Sequence, residues 1–196
     1  MSIGLFVDGG YSRHSCKGVD VDALARYVEG VLHDKVAQAV YFDGEPKFEH
    51  AATRRFLAAL QWPRSQGGPG FKVKLYPVEA HPVVYPGGGQ VVSPEGKPLM
   101  SYKQVGVDIG LALAMLRGRD EFKWDKVALM AGDGDFAETL AELRGSGVQL
   151  CVLCGGKTLS KHLLSLDPQL IDVLAEPASL YLKLRCSTMR HSLTRS

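Results

Sequence analysis

No apolar run in the chain approaches the roughly 20 residues needed to cross a bilayer. No signal peptide is visible either, since Met1-Ser2-Ile3 leads straight into a strand-like run. Charge of one sign is also missing: 23 Lys and Arg stand against 21 Asp and Glu, a formal net charge of +2. Bulk electrostatics therefore neither demand nor exclude a polyanionic partner. Cysteine is scarce, with only Cys16, Cys151, Cys154 and Cys186. Cys151 and Cys154 have zinc-knuckle spacing, but "VQLCVLC" reads as a buried strand, where residues three apart face opposite ways. With no second pair or nearby His to complete a site, the cysteines are expected to be buried thiols in a reducing cytosol. A Gly-x-Gly-x-x-Gly turn after the first strand is absent, which removes a dinucleotide-binding reading. His14, His33, His50, His81, His162 and His191 are scattered, and no Ser–His or Cys–His nucleophile emerges.

What remains is an ordinary globular composition, 45% hydrophobic and 22% charged over 196 residues, enough for one large domain. Short apolar runs alternate with helical patterns. "IGLFVD", "VAQAVYF", "GFKVKLYPV", "KVALMA" and "VQLCVL" are strand candidates. Between them lie helix candidates. "VDVDALARYVEGVLH" has Asp20 or Asp22 as its cap; "FEHAATRRFLAALQW", "VDIGLALAML", "DFAETLAEL" and "TLSKHLLSL" follow. Near-continuous apolar strands separated by amphipathic helices predict a doubly wound α/β fold, a mainly parallel sheet covered on both faces. One Gly- and Pro-rich segment, residues 81–102, interrupts the rhythm and predicts an inserted hairpin or flap bordering the cleft. No internal repeat is read. The domain is expected to span residues 1–185, followed by a mobile basic tail over 186–196, since no acid follows Glu176.

In open parallel sheets, sites form at the carboxyl ends of strands. Asp8 closes the first strand ahead of Gly9-Gly10, and Asp133 and Asp135 close "KVALMAGD". Asp108 sits at the head of the helix "GVDIGLALAML". These four acids are expected to converge. Repulsion at ~4 Å costs about 4 kcal/mol per pair at an effective dielectric of 20, so a hard divalent cation, Mg²⁺ or Mn²⁺, would resolve the conflict. Each acid also has a plainer role. Asp135 suits an N-cap, Asp108 complements a helix dipole, and neither Asp8 nor Asp133 directly opens a helix in this reading. Asp43, in "FDGEP", reads as a turn residue.

Three stretches, "IGLFVDGGY", "KQVGVDIGLALAML" and "VALMAGDGDFAETLAELRGSGVQLCVL", resemble in order and spacing the signatures of the NYN domain, a LabA-like branch of the PIN-like nucleases. The resemblance spans Met1 to about Leu174. It implies a PIN-like fold and a metal-dependent ribonuclease, with Asp8, Asp108 and Asp133 as the metal and catalytic site and Asp135 as the fourth, more variable acid. Many members carry Asn two residues after the first acid, where this chain has Gly10, and a hydroxyl residue where it has Ala131. Both departures remove a polar group beside the metal and leave the acids intact.

A cation held there would activate a water and neutralise phosphate charge, giving 5′-phosphate and 3′-hydroxyl products. RNA would need counter-charges around the cleft. Lys103, Arg13 and Lys157 are the phosphate-contact candidates, and Tyr11 and Tyr102 could stack a base. The alternative function is a non-catalytic RNA- or protein-binding module with a vestigial site. A strand-end Asp phosphatase would need a second Asp at position 10 and is set aside. A soluble cytoplasmic protein is expected, without a membrane partner, and a homo-oligomer is left open.

Overall fold

The computed structural model describes residues 1–16, 19–46, 51–155 and 158–173, without the side chain of Asp22. The strands are β1 (Ser2–Asp8), β2 (Lys35–Gly44), β3 (Lys72–Tyr76), β4 (Val78–Pro82), β5 (Met100–Gln104), β6 (Lys126–Met130), β7 (Gln149–Cys154) and β8 (Gln169–Asp172). The helices are α1 (Gly9–Ser15), α2 (Val21–Leu32), α3 (Ala51–Leu60), α4 (Val107–Phe122), α5 (Ala137–Gly145) and α6 (Lys161–Leu164). Six strands form one sheet in the order β3-β2-β1-β6-β7-β8, every pairing parallel. The winding reverses between β1 and β6, so a crevice opens at their carboxyl ends, where Asp8 and Asp133 lie.

Alternation along each strand separates two cores. Ile3, Leu5, Val7, Ala39, Tyr41, Ala128, Met130, Cys151 and Leu153 face one layer with Leu24, Val28 and Leu32 of α2 and Leu60 of α3. Phe6, Val40, Phe42, Val127, Leu129, Leu150 and Val152 face the other, with Val107, Leu111 and Met115 of α4 and Leu140 and Leu143 of α5. This is the three-layer α/β architecture expected of a PIN-like fold, and side chains on both faces are almost wholly excluded from water. At the amino end of the sheet Trp124 closes the second core. It meets Phe6 edge-to-face at 5.9 Å and donates its indole N–H to Gln38 Oε1 at 3.2 Å.

Several features depart from the sequence reading. Helix α1 begins at the Gly9-Gly10 pair, which reads in sequence as a turn, because Asp8 caps it. Strand β8 lies beyond the last predicted element and pairs with β7 over Cys151–Cys154. Helix α4 continues to Phe122, six residues past the expected end, until Lys123 takes a left-handed conformation (φ 52°). The cap of α2 is Asp20, whose Oδ1 lies 3.4 Å from the Ala23 N–H.

The inserted hairpin is present as β4 and β5, antiparallel to each other and paired with no strand of the main sheet. Its tip corrects the absence of repeats. Val83–Gln90 and Val91–Pro98 share the pattern Val-Val-x-Pro-x-Gly, and each forms the same turn, closed by Gly88 N–H to Tyr85 O and by Gly96 N–H to Ser93 O. Glycine is required at both places, with φ of 89° and 76°. Val83, Val91 and Leu99 are tied in a ring of backbone bonds, each accepting from another. Cys16, Cys151 and Cys154 are buried free thiols, as expected, and burial pushes Cys16 and Cys151 up to about 12. Cys186 and the predicted tail lie outside the described residues. None of the described helices is long and apolar enough to cross a membrane.

Candidate active site

Asp8 ends β1 with extended backbone (φ −78°, ψ 112°), and its Oδ1 accepts the Tyr11 N–H at 3.2 Å. Contrary to the sequence reading, it does open a helix. The cap thereby holds the carboxylate at the start of α1, at the carboxyl end of β1. Gly9 allows the helix to start so abruptly: a Cβ there would fall 2.5 Å from the Tyr41 hydroxyl oxygen and 2.7 Å from Asp43 Oδ2.

Across the crevice, Asp133 caps a single 3-10 turn, Gly134–Phe136, by accepting the Asp135 N–H at 3.1 Å. The capping role expected of Asp135 thus falls to Asp133, two residues earlier, and Phe136, the N-cap of α5, makes no side-chain capping bond. Phe136 is fully buried and anchors the turn in the α4-side core, leaving Asp133 and Asp135 exposed to solvent. Asp108 stands in the first turn of α4, behind Gly106 in the left-handed region (φ 83°).

The electrostatics link these acids. Burial, then the charges of Asp108 and Asp43, raise the Asp8 carboxyl above its ordinary value, although the Tyr11 and Gly10 amides pull it down. Asp108 is raised by partial desolvation and by Asp133 and Asp135. Asp108 is thus the link among the sequence-predicted acids, felt by Asp8 on one side and feeling Asp133 and Asp135 on the other. They do not close into a ready-made cage: among the described residues no group of three His, Cys, Asp or Glu side chains is arranged to hold a metal ion. Two of the four are held at helix starts, and mutual repulsion keeps such carboxylates apart.

The NYN domain profile matches residues 2–174. The chain belongs to the NYN domain family. Members of this family are generally PIN-like nucleases, so the chain is of a nuclease kind. A crystal structure of a Vibrio parahaemolyticus protein of unknown function superposes with a TM-score of 0.56 at 18% identity, covering 88% of this chain and 92% of that one. That likeness concerns the fold alone. No curated protein matches the sequence.

The remaining predicted residues of this NYN domain fall into two groups. Lys103, on β5, is exposed and lines a cavity of about 390 Å³ together with Gly10, Arg13, His14, Gln104 and Asp108. It makes no ion pair among the described residues. Arg13 borders the same cavity but is engaged elsewhere. Its two terminal nitrogens grip both oxygens of Asp43, Nη2 to Oδ1 at 2.8 Å, and Nη1 also donates to the Tyr41 hydroxyl at 3.3 Å. Tyr11 is braced: its hydroxyl lies 2.6 Å from Thr158 Oγ1 and accepts the Gly155 N–H at 3.2 Å. Gly132 makes room for that ring, since a Cβ there would sit 2.3 Å from Tyr11 Cε2. Lys157 lies outside the described residues.

Asp43 is the residue that sequence reasoning missed. It is no turn residue but a 6% exposed carboxylate inside β2, beside the end of β1. Besides Arg13 it accepts from Tyr41 Oη (3.2 Å), Gly44 N (2.7 Å) and Gln104 Nε2 (2.9 Å). Gln104 thus carries the hairpin into the site. A Cβ on Gly10 would lie 3.2 Å from Asp8 Oδ1 and 3.7 Å from Gln104 Oε1, so a polar amide already flanks the position where many members have Asn. Ala131 is fully buried within the α4-side core. The signal for Asp43 is its parity: it follows four buried β2 residues and lies on the Tyr41 side of the sheet, next to α1.

Proposed function

We propose that this NYN domain is a divalent-metal-dependent endoribonuclease whose catalytic acids are Asp8, Asp108, Asp133 and Asp135. The observation that carries the reading is the position of Asp8, Asp133 and Asp108 at strand and helix ends about the switch point of the sheet, with Asp8 and Asp108 both raised by burial and by neighbouring acids. Raised carboxyls in an acid cluster fit a hard cation, because its charge relieves the repulsion and its preference is for oxygen ligands. Asp8, Asp108 and Asp133 would hold it, with Asp135 beside them. When bound, Mg²⁺ or Mn²⁺ would supply Lewis-acid activation of water and neutralisation of phosphate charge.

The chain's own residues do the rest. The caps at Asp8 and Asp133 fix both carboxylates on rigid element ends, so little reorganisation is needed when the phosphodiester arrives. Lys103, unpaired and facing the same cavity as Asp108, supplies the cationic contact for a phosphate. Arg13, shared with Asp43, contributes a weaker one. Tyr11 positions α1 against the loop after β7 through its hydroxyl, and only its ring edge is left for a base. Against the alternative of a binding module with a vestigial site, which Gly10 and Ala131 favour, stands the Gln104 amide that supplies a polar group beside Gly10.

Incubation of the pure protein with a mixed RNA pool tests the proposal. Fragments bearing 5′ phosphates should form with Mn²⁺ or Mg²⁺ and not with a chelator. Intact RNA under every metal condition would overturn it.

A further inference from the structure

A larger cavity of about 630 Å³ is lined by the Arg13–Asp43 pair. Its walls are mixed. Phe56 and Leu57 of α3 and Val78 of β4 give it apolar faces, while Thr53, Gln104 and Arg13 bring polar atoms to its edge. Phe56 is 37% exposed, and it is held in place by an edge-to-face contact with Tyr41 at 5.8 Å. Arg13, Tyr102 and Gln104 line both this cavity and the smaller one that contains Lys103 and Asp108. The two cavities therefore adjoin, one flanked by the acids and the cation, the other by aromatic and apolar surface.

We propose that the larger cavity receives an unstacked base of single-stranded RNA, adjacent to the phosphate held in the acid crevice. The assignment rests on the nuclease reading and specifies its substrate: single-stranded RNA with a base-dependent cleavage pattern. The chemistry matches on three counts. A base has a flat apolar face, and Phe56 and Tyr102 offer aromatic surface for it. Its edge needs hydrogen-bond partners, and Asp43 is not free to give one, because both its oxygens already accept from Arg13, Tyr41, Gly44 and Gln104. That network instead fixes Gln104 on the border between the two cavities, and Thr53 adds a hydroxyl on the side of the base. A phosphate alone would not suit so apolar a chamber, and it already has a place beside Lys103. The hairpin supplies Val78, Tyr102 and Gln104, so recognition of the base depends on the inserted element and not only on the main sheet.

Binding of single-stranded RNA oligonucleotides in chelator, where nothing is cut, tests this. One set is fully base-bearing, and a second carries an abasic site at each internal position in turn. The base-bearing RNA should bind at least about fivefold more tightly than the best-placed abasic partner, the fold-change that one stacked base is worth at the low end. Phe56→Ala and Thr53→Trp, the second filling the cavity from the surface of α3, should each remove that difference and leave abasic binding unchanged. Adenosine monophosphate should compete only at far higher concentrations than the oligonucleotide. Equal binding of both RNA sets by the wild type, or two variants that keep the difference, would overturn the proposal. So would a mononucleotide that binds as tightly as RNA. RNA bound in a base-dependent way yet never cut with Mn²⁺ would instead overturn the nuclease reading and leave this one standing. RNA that is cut by a protein insensitive to both variants would do the reverse.

Discussion

Replacing Asp43 by Asn and Asp8 by Asn should move stability in opposite directions, although the two acids end neighbouring strands. Asp43 is buried and accepts from four residues, so its charge is matched by donors on every side. In Asp43→Asn one oxygen becomes an NH₂ donor facing the Arg13 guanidinium or the donors from Gly44 and Gln104. Hydrogen bonds to a charged group contribute about 1.5–3 kcal/mol each, and a buried donor left unpaired costs about 1–3 kcal/mol. Arg13 is 49% exposed and can turn to water, so its share must be discounted. The net loss is about 2–4 kcal/mol, a lowering of the melting temperature by about 4–16 °C for a domain of this size. Asp8, in contrast, is a raised carboxyl among other acids, and neutralising it relieves repulsion. Its melting temperature without metal should be unchanged or higher. Circular-dichroism melts in chelator at neutral pH measure both. An Asp43→Asn protein as stable as wild type, or an Asp8→Asn protein that loses more than Asp43→Asn, would refute the division between a structural and a functional acid.

Three further outcomes follow from the same geometry. Because the folded-state Asp8 and Asp108 carboxyls lie above the ordinary aspartate value of 3.8, the folded chain holds protons that the unfolded chain has released. The contribution of these two groups to metal-free stability should therefore fall as pH rises from about 3.8 through the folded values, against the opposite contribution of carboxyls such as Glu29 that folding lowers. The stability of wild type relative to Asp8→Asn should fall through this window, and pH-dependent melts in which that difference rises would contradict it. Replacing residues 81–102 with a short Gly-Ser link should leave the sheet folded, since β4 and β5 pair only with each other, while RNA affinity or the cleavage pattern changes; loss of the cooperative melt would show the hairpin to be integral to the core. Lys103→Ala should weaken binding across unrelated sequences and reduce the salt-dependence slope by about 0.7, the value for one phosphate on a single strand; an unchanged isotherm at every salt concentration would place Lys103 off the binding surface.

The sheet was legible because its strands carry their own evidence. "IGLFVD", "KVALMA" and "VQLCVL" are apolar on both faces, which only a doubly covered parallel strand requires, and α2 shows a clean helical period. Short or punctuated elements were not legible. Helix α1 opens on two glycines, normally a turn signal, and becomes a helix because Asp8 supplies the cap. Strand β8 has four residues, too few for a period to declare itself. Of the site, the four acids could be found at strand and helix ends, but their capping roles could not be apportioned without backbone geometry. Asp43 needed tertiary information, since its partners Arg13 and Gln104 are 30 and 61 residues away. The same distance hid the commitment of Arg13, which reads in sequence as a free cation beside the first acid.

Cleavage of a mixed RNA pool by wild type and by Asp133→Asn, in Mn²⁺ and in chelator, tests the central claim most directly. The wild type should cut only with metal, and Asp133→Asn should lose cutting while its metal-free melting temperature stays the same or rises. An Asp133→Asn protein that is equally stable and still cuts RNA at the wild-type rate would contradict the assignment of the acid crevice as the catalytic site.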